Sequence, residues 1–177
     1  MLMNHKRNRK RIIYKRGFTL IELLVGLVVF SLAVSVAISL FAAALRAQRK
    51  SFAIQNVQDN GRYLISFIAK EIRMSRIVSV DGETLILNIE HPTNGNITYT
   101  FTGAPNWQII RTDAASSGPI NSSEVNVDGR FSIAGRAASD NIQPRVTIIM
   151  KITNKGVKVE EQSEIDLQTT FSQRRLD

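Results

Sequence analysis

From Phe18 to Leu45 the chain runs 28 residues with a single charge, Glu22. A helix needs about 20 mainly apolar residues to cross a hydrocarbon core. At about 1.5 Å per residue this run reaches roughly 42 Å. It has no proline, Gly26 is its only glycine, and its apolar residues fall on every helical face. An amphipathic surface helix would keep one polar face, and a chain of 177 residues could hardly cover such a helix on all sides as a core element. Lys6, Arg7, Arg9, Lys10, Arg11, Lys15 and Arg16 precede the run, whereas only Arg46, Arg49 and Lys50 closely follow it. That asymmetry predicts a cytoplasmic N-terminus, with the rest of the chain on the far side of the membrane. Ala42-Ala43-Ala44 lies near where a secretory signal would be cut. The run is nevertheless longer than the 7–15 residue apolar core of such signals, and a disposable signal has no reason to carry Glu22.

Glu22 needs its own account, because a charge inside a membrane helix costs about 2.5–3.5 kcal/mol even on the lenient insertion scale. Two accounts stand. Lying one turn into the run, its carboxylate would reach the headgroups. Alternatively, a cut after Gly17 would leave Phe18 with a free amine at the start of the helix. In a bundle of such helices, that amine would meet the Glu22 of a neighbour, each charge offsetting the desolvation of the other.

Arg16-Gly17-Phe18-Thr19-Leu20-Ile21-Glu22 closely resembles the type IV prepilin signal, with its basic leader, glycine, phenylalanine, and glutamate at the fifth position after the cut. The resemblance implies cleavage by a prepilin peptidase between Gly17 and Phe18, N-methylation of Phe18, and packing of the apolar helix into a filament core, with Glu22 acting in assembly.

The chain carries a formal net charge of +8, which invites a nucleic-acid partner. Residues 1–17 hold seven of the 23 basic residues and no acidic one. Without them 16 basic residues face 15 acidic ones, a net charge of +1, so no direct nucleic-acid binding is expected. The chain has no cysteine, although an exterior compartment would permit a disulfide. Many major pilins close a C-terminal loop with one, and in that respect this chain differs from a major subunit of that kind.

Beyond Leu45 the sequence turns polar but keeps helical spacing through Phe52, Val57, Leu64, Phe67, Ile68 and Ile72, and no proline occurs before Pro92. One helix is expected from about Phe18 to about Ser75, with Asp59-Asn60-Gly61 as the place where it would break. Gln58-Asp59-Asn60-Gly61-Arg62-Tyr63-Leu64, followed by Phe67-Ile68-Ala69-Lys70-Glu71-Ile72-Arg73-Met74, is similar to the stretch after the membrane helix in W-type minor pilins. More loosely it resembles the J-type minor pseudopilins of type II secretion. The same apolar positions also read simply as the face that packs on a sheet.

From Ile77 the period shortens to that of strands. Strands are expected at residues 84–89, 97–101 and 106–111, forming an antiparallel meander. A short hairpin is expected from residues 124–127 and 130–133 about Asp128-Gly129, and closing strands at 145–153 and 157–171 about an Asn154-Lys155-Gly156 turn. Residues 114–123 and 134–143 read as loops. The expected fold class is α+β, a long N-terminal helix packed through its second half on a C-terminal antiparallel sheet. The organisation is then a cleaved leader at 1–17, a membrane or filament-core helix at 18–45, an amphipathic helix at 46–76, and a sheet domain at 77–177.

No catalytic constellation is present. His5 lies in the leader, and His91 alone cannot build a zinc site. Asp81 and Glu83 lack the dense ligand loop of a calcium site. No nucleophile elbow or phosphate-binding glycine loop occurs. Asn96-Ile97-Thr98 and Asn121-Ser122-Ser123 match a glycosylation pattern that is short and easily met by chance. Trp107 and Tyr99 read as core or sheet-face residues. No metal, cofactor or enzymatic activity is expected.

The expected function is that of a minor subunit of a type IV pilus. Its partners would be the prepilin peptidase, other pilins or pseudopilins and the inner-membrane assembly platform. It would sit as a single-pass protein of the inner membrane before entering the filament. The alternatives are a pseudopilin of a secretion or DNA-uptake filament, a permanently anchored periplasmic binding domain and, last, an anchored enzyme.

Overall fold

The computed structural model describes residues 17–135, 143–155 and 162–173. The chain divides into two compact units, Met1–Ala44 and Leu45–Asp177. Helix α1 is Leu20–Met74. Its apolar part is long and apolar enough to cross a membrane, and none of it is buried. Three serines within it would be costly in hydrocarbon if left unpaired. Each donates its hydroxyl one turn back, Ser31 to the Leu27 carbonyl, Ser35 to that of Ser31, and Ser39 to that of Ser35, at 2.8–2.9 Å.

In the second unit α1 buries Val57, Gly61, Leu64, Ile68 and Ile72, a stripe at spacings of four and three. Phe52, which fits the same apolar pattern in the sequence, is exposed. The helix does not break at Asn60-Gly61. Asn60 donates its amide to the Asn56 carbonyl at 3.0 Å and accepts the Ser122 amide at 3.3 Å, so it is held from both sides. A side chain at Gly61 would come within 2.7 Å of Leu167 Cδ1 and 3.3 Å of Ile152 Cδ1. The glycine therefore serves a close approach of helix to sheet instead of a turn. The helix ends with Arg73 in its last turn, where a cation favours the dipole.

The expected α+β class holds, with the strands divided between two antiparallel sheets. The first contains, in spatial order, β1 (Arg76–Ile77), β3 (Ile86–His91), β4 (Gly95–Phe101), β5 (Ile109–Thr112) and β6 (Ser117–Pro119). The second contains β2 (Gly82–Thr84), β7 (Val125–Ala134), β8 (Arg145–Asn154) and β9 (Glu164–Ser172). The meander expected from the sequence is β3, β4 and β5. Inward residues of both sheets, among them Leu87, Ile97, Tyr99, Val127, Phe131, Ile148 and Ile152, form one core with the buried stripe of α1. The rings of Phe101 and Phe131 meet at 4.8 Å where the sheets join.

Several expected boundaries are corrected. The strand at 84–89 is two strands in different sheets, because the chain crosses over at Leu85. There the Thr84 hydroxyl bonds both the N–H and the carbonyl of Ile86. Residues 106–108 belong to a turn, and β5 starts only at Ile109. The expected loop at 114–123 contains β6. The hairpin at Asp128-Gly129 does not form, since both residues lie inside the ten-residue strand β7. Gly129 faces the sheet junction, where an added Cβ would lie 2.5 Å from the Ile149 carbonyl oxygen and 2.9 Å from the Phe101 ring. Close packing demands that glycine. The closing strand begins at Glu164, and Gly156, residues 157–161 and most of the loop at 134–143 lie outside the described residues.

Candidate functional site

The residues singled out at the N-terminus lie at the start of α1. Phe18 is almost fully exposed, and its immediate neighbours in the chain are exposed as well. A Cβ built on Gly17 meets nothing within 4 Å. Packing within the described chain therefore does not require glycine there.

Glu22 is engaged locally. Thr19 and Glu22 form a reciprocal cap. The Thr19 hydroxyl accepts the Glu22 amide at 3.2 Å, while Glu22 Oε2 accepts the Thr19 amide at 3.2 Å and the Thr19 hydroxyl at 3.1 Å. Two amides that the helix itself leaves unpaired are thereby satisfied. Leu23 donates to the Thr19 carbonyl at 3.2 Å and closes the first turn. Among the described residues, Glu22 Oε1 has no hydrogen-bond partner. Sequence reasoning missed Thr19, although Thr19-Leu20-Ile21-Glu22 is a T-x-x-E capping signature.

A second polar constellation lies inside the sheet unit. Glu71 of α1 is buried and receives Arg111 of β5 in a two-pronged contact, Nη2 to Oε1 at 3.1 Å and Nε to Oε2 at 3.2 Å. The Tyr99 hydroxyl donates to the same carboxylate, and Arg111 also pairs with Asp113. Burial pushes the Tyr99 pKa up, and the hydrogen bond and charge of Glu71 push it further. Burial disfavours the charged form of Arg111, but hydrogen bonds to Glu71 and Asp113 outweigh it and raise its pKa. The Arg111 hydrogen bond, helped by the amides of Ala115 and Ser116, holds Asp113 down at about 2. With every charge paired, the cluster joins the helix to the first sheet. Glu71 falls seven residues after Leu64 and so on the buried stripe, which was the available signal.

The remaining sequence candidates have structural partners. His91 ends β3, and its Nδ1 accepts the amides of Thr93 and Asn94 at 3.2 Å each. Asn121 is buried; its Oδ1 accepts the Ile109 amide, and its Nδ2 donates to the Ser122 and Val125 carbonyls. Its side chain is therefore spent on the fold. Glu83 pairs with Arg130 at 3.2 Å. Tyr99 is a core residue, as expected, whereas Trp107 is half-buried in a turn. Among the described residues no three His, Asp or Glu side chains gather as metal ligands.

Residues 13–38 match the family model of the prokaryotic N-terminal methylation motif. No curated protein and no solved structure matches the chain.

Proposed function

We propose that this chain, prepilin-type in its N-terminal motif and pilin-like in its α+β arrangement, is a structural minor subunit of a type IV pilus. The observation that carries the proposal is the apolar part of α1. It is long enough to cross a membrane and none of it is covered by its own chain, and it overlaps the methylation motif. Such a surface requires lipid or other helices of its kind.

The proposed sequence of events starts with insertion, N-terminus in the cytoplasm, directed by the basic leader. Prepilin peptidase then cuts between Gly17 and Phe18 and methylates the Phe18 amine. Glycine at position 17 suits a cleavage site, since nothing in the described chain restrains it. The Thr19–Glu22 cap keeps the first turn formed up to the new terminus. Glu22 Oε1 is the oxygen left for a neighbour's Phe18 amine, and the pairing offsets the cost of taking both charges out of water. The helix then leaves the inner membrane for the filament, in contact with the assembly platform and other minor and major pilins. The looser likeness of residues 58–74 to J-type pseudopilins supports a secretion filament as the second reading, with the same N-terminal chemistry.

The test is intact-mass and N-terminal analysis of the protein from membranes, with and without the prepilin peptidase. The expected product lacks residues 1–17 and carries one methyl group on Phe18. A chain that begins at Met1 in both strains would make it a permanently anchored sheet domain. In cells that assemble the filament, Glu22→Gln should abolish incorporation while leaving membrane insertion intact. Incorporation at the parent level would remove Glu22 from the assembly step.

A further inference from the structure

Trp107 is the only tryptophan of the chain, and its backbone has φ 41°, the left-handed region that bulky residues avoid. The turn that imposes this conformation is pinned on every side. Thr102 and Gln108 exchange three hydrogen bonds at 2.8–3.0 Å. Trp107 donates its amide to the Gly103 carbonyl at 3.3 Å, and its carbonyl accepts the Val127 amide at 2.7 Å. The last bond ties the turn to β7 of the other sheet. An outlier held this firmly asks what its side chain is held for.

The indole lines a shallow depression of about 180 Å³ with Asn126, Asp128, Lys151 and Thr153. These four project from the outward face of the second sheet, where Asn126 pairs across with Thr153 and Asp128 with Lys151. Among the described residues, the indole N–H, the Asn126 amide, the Asp128 carboxylate and the Thr153 hydroxyl make no hydrogen bond to protein. Lys151 is held at 2.8 Å by Glu164. A second depression of about 290 Å³ shares Asp128 and Lys151 and continues over Arg130, Ile149 and Gln168. Together they form an open groove with an aromatic plate at one end and unspent polar groups along its floor.

We infer that this groove is a binding site for a neutral saccharide chain, with Trp107 as the stacking platform and Asp128 as the principal acceptor of sugar hydroxyls. The weakly positive C–H groups of a pyranose face suit the negative face of an indole. The hydroxyls at the ring edge suit a carboxylate, an amide and a hydroxyl set beside it. The groove's two cations, Arg130 and Lys151, are already paired with Glu83 and Glu164, and Asp128 and Asp166 stand beside them, which disfavours a polyanion such as nucleic acid. An extended peptide would seek a free strand edge; β8 is paired on both sides, and beyond the three residues of β7 that pair with β2 the edge beside the groove has its Val125 and Val127 amides taken by the Ser122 and Trp107 carbonyls. This inference does not depend on processing or filament assembly.

The single tryptophan makes the test direct. The full-length chain in detergent micelles is titrated with maltotetraose, cellotetraose and chitotetraose while Trp107 emission is followed. The expected result is a saturable change with at least one of the three. That response should weaken about tenfold or more in Asp128→Ala, an exposed position whose replacement should leave the circular dichroism spectrum unchanged. Trp107→Phe, followed by calorimetry, should also weaken binding. No saturable response to any of the three sugars would overturn the proposal. So would an undiminished response in Asp128→Ala, or an equal response to tetra-alanine.

Discussion

The two stretches of α1 on either side of Leu45 share one secondary structure and meet opposite demands. Up to Ala44 every face is apolar and none is covered; Leu32, for example, is 64% exposed. Polar side-chain atoms there, Glu22 Oε1 apart, are silenced locally, by serine-to-carbonyl bonds and by the Thr19–Glu22 cap. After Leu45 a narrow stripe is fully buried, Leu64 at 0%, and the one charge on it, Glu71, is answered from another element. A stretch that must suit lipid or sister helices satisfies its polar groups within itself. A stretch that folds on a sheet can share them with that sheet.

The sharpest way to break this contrast is to truncate one leucine on each side. Leu64→Ala should lower the unfolding free energy of the sheet unit by about 2–5 kcal/mol, the cost of an unfilled core position. Leu32→Ala should leave it unchanged. Denaturant unfolding of the detergent-solubilised chain, followed by Trp107 emission, reads both. Equal losses would mean that the apolar stretch contributes to the stability of the sheet unit.

The buried ion cluster gives the next largest effect. Glu71→Ala removes one of two carboxylates facing Arg111 and leaves the Tyr99 hydroxyl without its acceptor, for a loss of about 2–4 kcal/mol. The same cluster fixes an acid dependence. Asp113 is held at about 2, below its usual value, chiefly by Arg111. Its contribution is therefore complete above the ordinary aspartate range and fades as the pH falls from about 4 towards 2. Asp113→Asn should flatten the midpoint-against-pH curve in that window. An unchanged slope would show that the Arg111 contact does not set it.

The two helical glycines extend the comparison at a smaller scale. Gly61→Val would press a branched side chain against Leu167 and Ile152, costing about 1–3 kcal/mol. Gly26 faces open space, and Gly26→Val should leave sheet unfolding as it is.

Much of this contrast is legible in the sequence because it lies in local pattern. The 28-residue apolar run, the N-terminal methylation motif and the shift to strand period after Ile77 needed only neighbouring residues to be read. What escaped depends on distant ones. Asp128-Gly129 carries a strong turn signal, yet Phe101 and Ile149 make the glycine a packing requirement within β7. Period-two alternation is the same for one sheet or two, so the crossing at Leu85 had no signature. The partners of Glu71 lie 28 and 40 residues away. The posture of Trp107 follows from a backbone angle that no residue type announces. Thr19 is the exception, since its capping signature is local.

Thr19 also supplies the most local of the tests. Thr19→Ala removes the hydroxyl that accepts the Glu22 amide and one of the two donors to Glu22 Oε2. Loss of an N-cap costs about 1 kcal/mol, and here it falls only on the first turn of a helix whose start is exposed. Hydrogen exchange should therefore quicken about fivefold at the amides of Glu22 and Leu23, the first-turn amides that are bonded to Thr19. The sheet unit should unfold at the parent midpoint. Thr19→Ser keeps the cap and should exchange as the parent does. If Thr19→Ala exchanged no faster, the first turn would be held by other means, and Glu22 would be free to turn both oxygens to a partner.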